Sequence, residues 1–189
     1  MVWLEAFMLR KYIKNDKTLN LAEWALAIIS AVIISLFVRQ FIFTTAVVSG
    51  PSMAPTLNNG DRVIINRIAM RLESPVYGDI VAFPYPANPD DKHIKRVIGL
   101  PGDYIDVYDN RIFINGELFL DGFSLDGVFL SGDMTFPLIV GEDEYFMLGD
   151  NRSNSKDSRF ASVGLIKREN MIGRAWLRFI PLNSIGIVR

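Results

Sequence analysis

Fifteen consecutive residues, Trp24 to Val38 (WALAIISAVIISLFV), carry no charge and no polar face. A helix that is apolar all round must be buried on every side or lie in lipid. The 189-residue chain has a mean hydropathy of +0.22, and this stretch accounts for nearly all of the excess. The remainder averages near zero, as a water-soluble fold would. As a helix the fifteen residues span ~22 Å, short of a ~30 Å hydrocarbon core. Including Leu21 to Glu23, and the resumed apolar run Phe41-Ile42-Phe43, closes the gap if Arg39 snorkels toward head groups. A transmembrane helix over residues 21–43 is the expectation. A core helix is the first alternative. A cleaved signal peptide with its cut at Thr44-Thr45-Ala46 is the second, disfavoured by the twenty residues ahead of the run and by Arg39 and Phe43 close to the cut.

Charge gives the segment a direction. Residues 1–20 carry Arg10, Lys11, Lys14 and Lys17 against Glu5 and Asp16, a net of +2, whereas residues 39–189 carry a net of −2. The basic flank is expected to stay cytoplasmic, which places residues 44–189 outside as a domain long enough to bury a core. The whole chain has a net charge of −1, so it has no overall basic field for nucleic acid, and none is expected as a partner.

Beyond Phe43 the pattern changes. Short β-branched and aromatic runs alternate with Gly, Pro, Asn and Asp, which predicts a mainly β domain. Expected strands are 46–49, 61–66, 79–83, 94–98, 104–107, 111–114, 117–120, 144–148, 172–179 and 185–188. Asn115-Gly116 is a type I′ hairpin signal, since both central positions need positive φ. Helical turns are expected only at 53–57 and 165–170, and residues 121–137 read as a hairpin or an extended loop.

The chain has no Cys and one His. Thiolate nucleophiles, disulfides and multi-His or Cys metal sites are therefore excluded, and no metal or cofactor is expected. Three segments could carry chemistry. In Ser49-Gly50-Pro51-Ser52-Met53-Ala54-Pro55 a serine is fixed between prolines, with Gly50 held extended by the proline after it. Pro51 has no N–H, so the Ser52 amide is the nearest oxyanion donor. In Lys92-His93-Ile94-Lys95-Arg96-Val97-Ile98, strand alternation puts His93, Lys95 and Val97 on one face and Ile94, Arg96 and Ile98 on the other. A Lys95 turned inward would be desolvated toward neutrality and could accept a serine proton. A solvated basic edge strand is the plain alternative. In Gly149-Asp150-Asn151-Arg152-Ser153-Asn154-Ser155-Lys156-Asp157-Ser158-Arg159, Asp157 and Arg159 can pair and Ser155 can bond a buried amine. Ser153 to Lys156 also spells Ser-x-x-Lys, but with little support for the helix start that this motif wants.

In this order, behind an apolar anchor, the three segments and Gly78-Asp79-Ile80-Val81-Ala82-Phe83 resemble the boxes of the bacterial type I signal peptidases, in the short form found in Gram-positive bacteria. The resemblance covers about residues 24–180. It implies an antiparallel β-sheet catalytic domain behind one N-terminal transmembrane helix, in a cell membrane with the N-terminus cytoplasmic. It implies a serine endopeptidase that removes signal peptides from preproteins after small residues, through an acyl-enzyme and without a cofactor. Ser52 would be the nucleophile and Lys95 the general base of a Ser/Lys dyad. Ser155 would orient the Lys95 amine, and Asp150, Asp157 and Arg159 would brace the loop.

Substrate would lie as an extended strand on Ala46, Val47, Val48, Ser49, Gly50, Met53, His93 and Ile94. Some family members carry a serine two residues before the nucleophile as an oxyanion donor. Here that residue is Gly50, which leaves Ser49 as the candidate side-chain donor. Membrane lipid is an expected partner, met by apolar side chains around 41–43 and 123–136. Two other readings stay open: a related Ser/Lys self-cleaving protease, and a catalytically silent relative acting in assembly or as a chaperone.

Overall fold

The computed structural model describes residues 16–109, 111–123 and 132–188, with the side chains of 16–19 and of Gln40 left aside. The chain divides into two compact units between Ile42 and Phe43. The first contains helix α1 (Asp16–Phe41), within which Asn20–Arg39 is long and apolar enough to cross a membrane. Leu21, Trp24, Ile28, Ile33, Leu36 and Phe37 on it are all exposed. Much of the basic segment, residues 1–15, lies outside the described residues, as do residues 124–131 of the 121–137 stretch.

The second unit is built from antiparallel strands. One sheet runs β1 (Phe43–Val47), β2 (Arg62–Asn66), β11 (Gly173–Ile180), β3 (Ile80–Tyr85), β4 (Asn88–Gly99), β9 (Glu144–Leu148) and β10 (Ile166–Lys167), with β12 (Gly186–Ile187) paired to β11. A second sheet runs β7 (Glu117–Leu118), β6 (Arg111–Ile114), β5 (Tyr104–Tyr108) and β8 (Leu138–Ile139). The Asn115-Gly116 turn joins β6 to β7 with φ of 54° and 85°, as the type I′ signal requires.

A short helix α2 (Arg67–Leu72) follows β2 directly and was not expected from the sequence. Asn66 ends the strand and also caps the helix, its Oδ1 accepting from the Ala69 N–H at 3.1 Å. At 165–170 the expected turn is shared between β10 and a 3₁₀ turn at Arg168–Asn170.

Three elements converge because of register. The 48–61 connection between β1 and β2 carries Ser52, with its apolar residues Met53 and Leu57 fully buried among Val48, Val63, Ile65, Ile80, Ala82 and Ile94. Burying each of these two side chains is worth roughly 1.5–3 kcal/mol, which pins the turn to the sheet. Strands β4 and β9 pair with Arg96 opposite Leu148, so the loop that begins at Gly149 starts beside Lys95. On the other side of β4, Lys95 lies opposite Val81 of β3.

Candidate active site

The turn around Ser52 is held at both ends. Ala54 donates to the Pro51 carbonyl at 3.0 Å and Leu57 to that of Met53 at 2.8 Å, giving the expected turn at 53–57. Gly50 sits at φ +82°, so the proline after it does not keep it simply extended; a side chain there would be strained by the backbone. The Gly50 N–H is spent on Asn59 Oδ1 at 2.9 Å. The Ser52 N–H donates to no described group, and Ser49 is exposed.

Lys95 enters from β4. Alternation along the strand runs as the sequence predicts, with Ile94 in the cluster beneath the Ser52 turn and Val97 in the cluster of Val81, Phe83, Tyr145 and Met147 on the other face. Lys95 is 3% exposed. Its Nζ donates to Ser52 Oγ at 2.8 Å and to the Ile94 carbonyl at 3.1 Å, and no carboxylate pairs with it among the described residues. Its pKa is pushed down to about 8, chiefly by burial; Asp157 and Asp150 pull it back up from a distance, and Arg159 lowers it further. Near neutral pH a useful fraction of such an amine is unprotonated and can take the proton of the hydroxyl it touches.

The 149–159 loop supports this pair without ionising it. Asp150 is held by Arg96, with both oxygens at 2.7 Å from the guanidinium. Asp157 and Arg159, both fully buried, form a two-pronged pair at 2.7 and 2.8 Å. Asp157 also accepts from the Gly149 N–H at 3.0 Å, and Arg159 reaches the Arg152 carbonyl at 2.8 Å. Arg152 bonds Gly149 O and pairs with Asp121. The loop docks on the serine turn through Asn151 N–H, which donates to Ser52 O at 3.1 Å. A Cβ on Gly149 would collide with that same oxygen and with the Ser155 hydroxyl, so only glycine fits there. Ser155 Oγ is buried without a partner among the described residues and makes no hydrogen bond to the Lys95 amine.

A cleft of about 260 Å³ opens over Ser52 and Lys95. Of the residues expected to bind substrate, Val47, Val48, Ser49, Met53, His93 and Ile94 line it and Ala46 and Gly50 do not; Pro51, Lys92, Asn154 and Lys156 line it as well. His93 is half-buried, stacked on Tyr85 at 4.7 Å with ring planes 4° apart. Burial first, then the Lys95 charge, push its pKa down to about 4, with Asp91 opposing. Its Nδ1 has no partner among the described residues. Lys156 Nζ lies over the other partner in this stack, 5.1 Å from the Tyr85 ring centre, and its contact with the phenol lowers the tyrosine pKa. Sequence reasoning named neither Tyr85 nor the Arg96–Asp150 pair. Alternation did place Arg96 on the face away from Lys95, but no local signal ties it to a carboxylate 54 residues away.

Comparison with known proteins bears on the family of the chain. Residues 21–180 match the family described as "Signal peptidase, peptidase S26". The chain is 37% identical over 174 residues to the probable signal peptidase I-2 of Synechocystis, covering 88% of this chain and 76% of the relative. It is 37% identical over 179 residues to signal peptidase I S of Bacillus subtilis, covering 90% and 95%. A crystal structure of a signal peptidase I from Enterococcus faecalis aligns with a TM-score of 0.46 at 33% identity, over 54% of this chain and 97% of that one. With the family match spanning both units and the relatives covered over most of their length, this chain belongs to the signal peptidase family, peptidase S26.

Proposed function

We propose that this protein is a membrane-anchored serine endopeptidase that removes signal peptides from preproteins, with Ser52 as nucleophile and Lys95 as general base. The observation that carries the proposal is the 2.8 Å contact between the Ser52 hydroxyl and a buried amine with no carboxylate partner among the described residues. Lys95 takes the Ser52 proton as Oγ attacks the scissile carbonyl. The charge that develops on the carbonyl oxygen is met by the free Ser52 N–H, with Ser49 as the candidate second donor. The lysine then passes its proton to the leaving amine, which gives an acyl-enzyme, and activates the water that hydrolyses it. Asp150, Asp157 and Arg159 hold the loop that begins beside Lys95, and Ser155, whose hydroxyl is buried without a partner among the described residues, is the candidate to orient the amine.

Substrate binding follows from an open edge. Among the described residues strand β1 pairs only with β2, and Val48 exchanges both its backbone bonds with Asp61 and Gly60 on that side. Backbone groups alternate along a strand, so Val47 and Ser49 face the open side, where an extended peptide can add. The thirteen residues from Arg39 to Ser52 reach at most ~45 Å, which keeps the site near the membrane where a signal peptide ends. In this reading residues 1–20 are cytoplasmic, α1 spans the cell membrane and the β domain lies outside. A silent assembly factor would have no use for a buried, unpaired lysine, which costs stability unless it does chemistry. The test is cleavage of a preprotein by the full-length protein in detergent, with the new N-terminus sequenced. Wild type should cut after a small residue and Ser52→Ala should not; equal cutting by both would refute the proposal.

A further inference from the structure

The cleft has a charge that the dyad does not require. Three lysines, Lys92, Lys95 and Lys156, line it, and among the described residues no carboxylate does. When Lys95 is neutral and reactive, Lys92 and Lys156 remain as the cations at its rim. Neither makes an ion pair with a described residue. Three nearby carboxylates have partners of their own: Asp150 with Arg96, Asp157 with Arg159, and Asp91 with the Asn88 side-chain amide at 2.8 Å. Lys156 also has a packing partner, since it lies over Tyr85, which stacks on His93, and both His93 and Lys156 line the cleft.

We infer that this rim selects substrates by charge, favouring preproteins with an aspartate or glutamate close to the cut and disfavouring those with a lysine or arginine there. The inference rests on the endopeptidase reading and adds Lys92 and Lys156 as specificity-determining residues. Geometry sets the range. Lys92 lies three residues from Lys95 along β4, about 10 Å at strand rise. Both Lys92 and Lys156 line the cleft that holds the Ser52 hydroxyl, so the side chains they meet belong to residues close to the scissile bond. Both lysines contact water, so each acts through a screened interaction of modest size, and rejection of the wrong charge adds to attraction of the right one.

The test uses full-length protein in non-ionic detergent and peptides that keep the small residue before the cut and differ at one other position, taken in turn through the flanking residues on either side, carrying Asp, Asn or Lys. Expected is a kcat/KM for the Asp peptide roughly tenfold above that for the Lys peptide at low salt on at least one side, shrinking as salt is raised. The ratio should fall to near one in Lys92→Gln/Lys156→Gln and reverse in Lys156→Glu. A wild-type ratio within twofold on both sides, or a ratio the double variant leaves unchanged, overturns the inference. Binding of the same peptides to Ser52→Ala, read by fluorescence anisotropy, separates the two readings. Charge-selective binding without any wild-type cleavage would remove the endopeptidase reading and leave the rim only as a charge-selective peptide site. Cleavage without charge preference would do the reverse, and neither cleavage nor binding would overturn both.

Discussion

Lys95 and Arg96 are adjacent on β4, both cationic and both buried, yet their surroundings differ in kind. Arg96 points to the face where Asp150 meets it with two hydrogen bonds and the Gly78 carbonyl with a third at 2.8 Å. Lys95 points to the face where it finds a hydroxyl and a carbonyl. The arginine's planar fork matches the Asp150 carboxylate with two charge-assisted hydrogen bonds. The lysine is left with a desolvation penalty, which is what lowers its pKa to about 8. A one-residue step along a strand thus separates a brace from a base.

Removing the base should have the largest effect. Lys95→Ala, and equally Lys95→Arg, should lower kcat by at least ~10³-fold, since general-base catalysis contributes ~10²–10⁴ and arginine cannot release its proton. Single-turnover cleavage measures this, and an active Lys95→Arg would erase the contrast drawn here. Next comes the brace. Arg159→Ala leaves Asp157 buried without its partner, so denaturant unfolding should show a loss of about 3–5 kcal/mol. A loss under ~1 kcal/mol would mean the loop does not depend on the pair.

The lysine should behave in the opposite way to the arginine in stability. Unfolded, Lys95 binds its proton up to its ordinary value of 10.5, but native only up to about 8. The native state is therefore penalised below pH 8, and the penalty fades as pH rises from 8 to 10.5. Lys95→Met, though inactive, should raise stability at pH 7 by up to about 3 kcal/mol, an advantage that shrinks through this window. Parallel unfolding curves at pH 7 and pH 10 would show it, and a less stable variant at pH 7 would contradict the desolvation account. By the same titration, kcat/KM should rise about tenfold per pH unit below 8 and level off above it; a flat profile between pH 6 and 9 would deny that Lys95 titrates in the reaction. The smallest effect is expected at His93. Its ring is neutral at working pH, bonds nothing at Nδ1 among the described residues, and serves as a stacked wall. His93→Ala should keep activity within about tenfold of wild type, and a folded variant that is dead would restore a role for the imidazole.

Much of the fold is legible where the pattern is local. Strands β6 and β9 lie at the expected residues because apolar alternation and turn residues bound them closely. Strand β4 runs longer than expected, since Asn88–Lys92 is polar and exposed and carries no alternation to read. Helix α2 was missed because Asn66 serves two elements at once, and β8 and β10, two residues each, are too short for any periodicity. At the site, Ser52 and Lys95 stood out only through the resemblance of several spaced motifs to one family, and the Asp157–Arg159 pair through its opposite charges two residues apart. The bond between Arg96 and Asp150, the dual contact of Gly149 with Ser52 and Ser155, and the Lys156–Tyr85–His93 stack were not legible, because each joins segments brought together by sheet register.

By itself the sequence determined the apolar helix, the antiparallel β character of the rest, and the reagents at hand: no thiol, one imidazole, and a serine and a lysine in turn and strand contexts. These are local properties, set by hydrophobic period and side-chain chemistry. Only the tertiary structure decided that a serine and a lysine 43 residues apart touch, and that this lysine, unlike the arginine beside it, is buried without a carboxylate. Proximity across strands and loss of water depend on how the sheet is assembled, and no stretch of the chain carries that information alone.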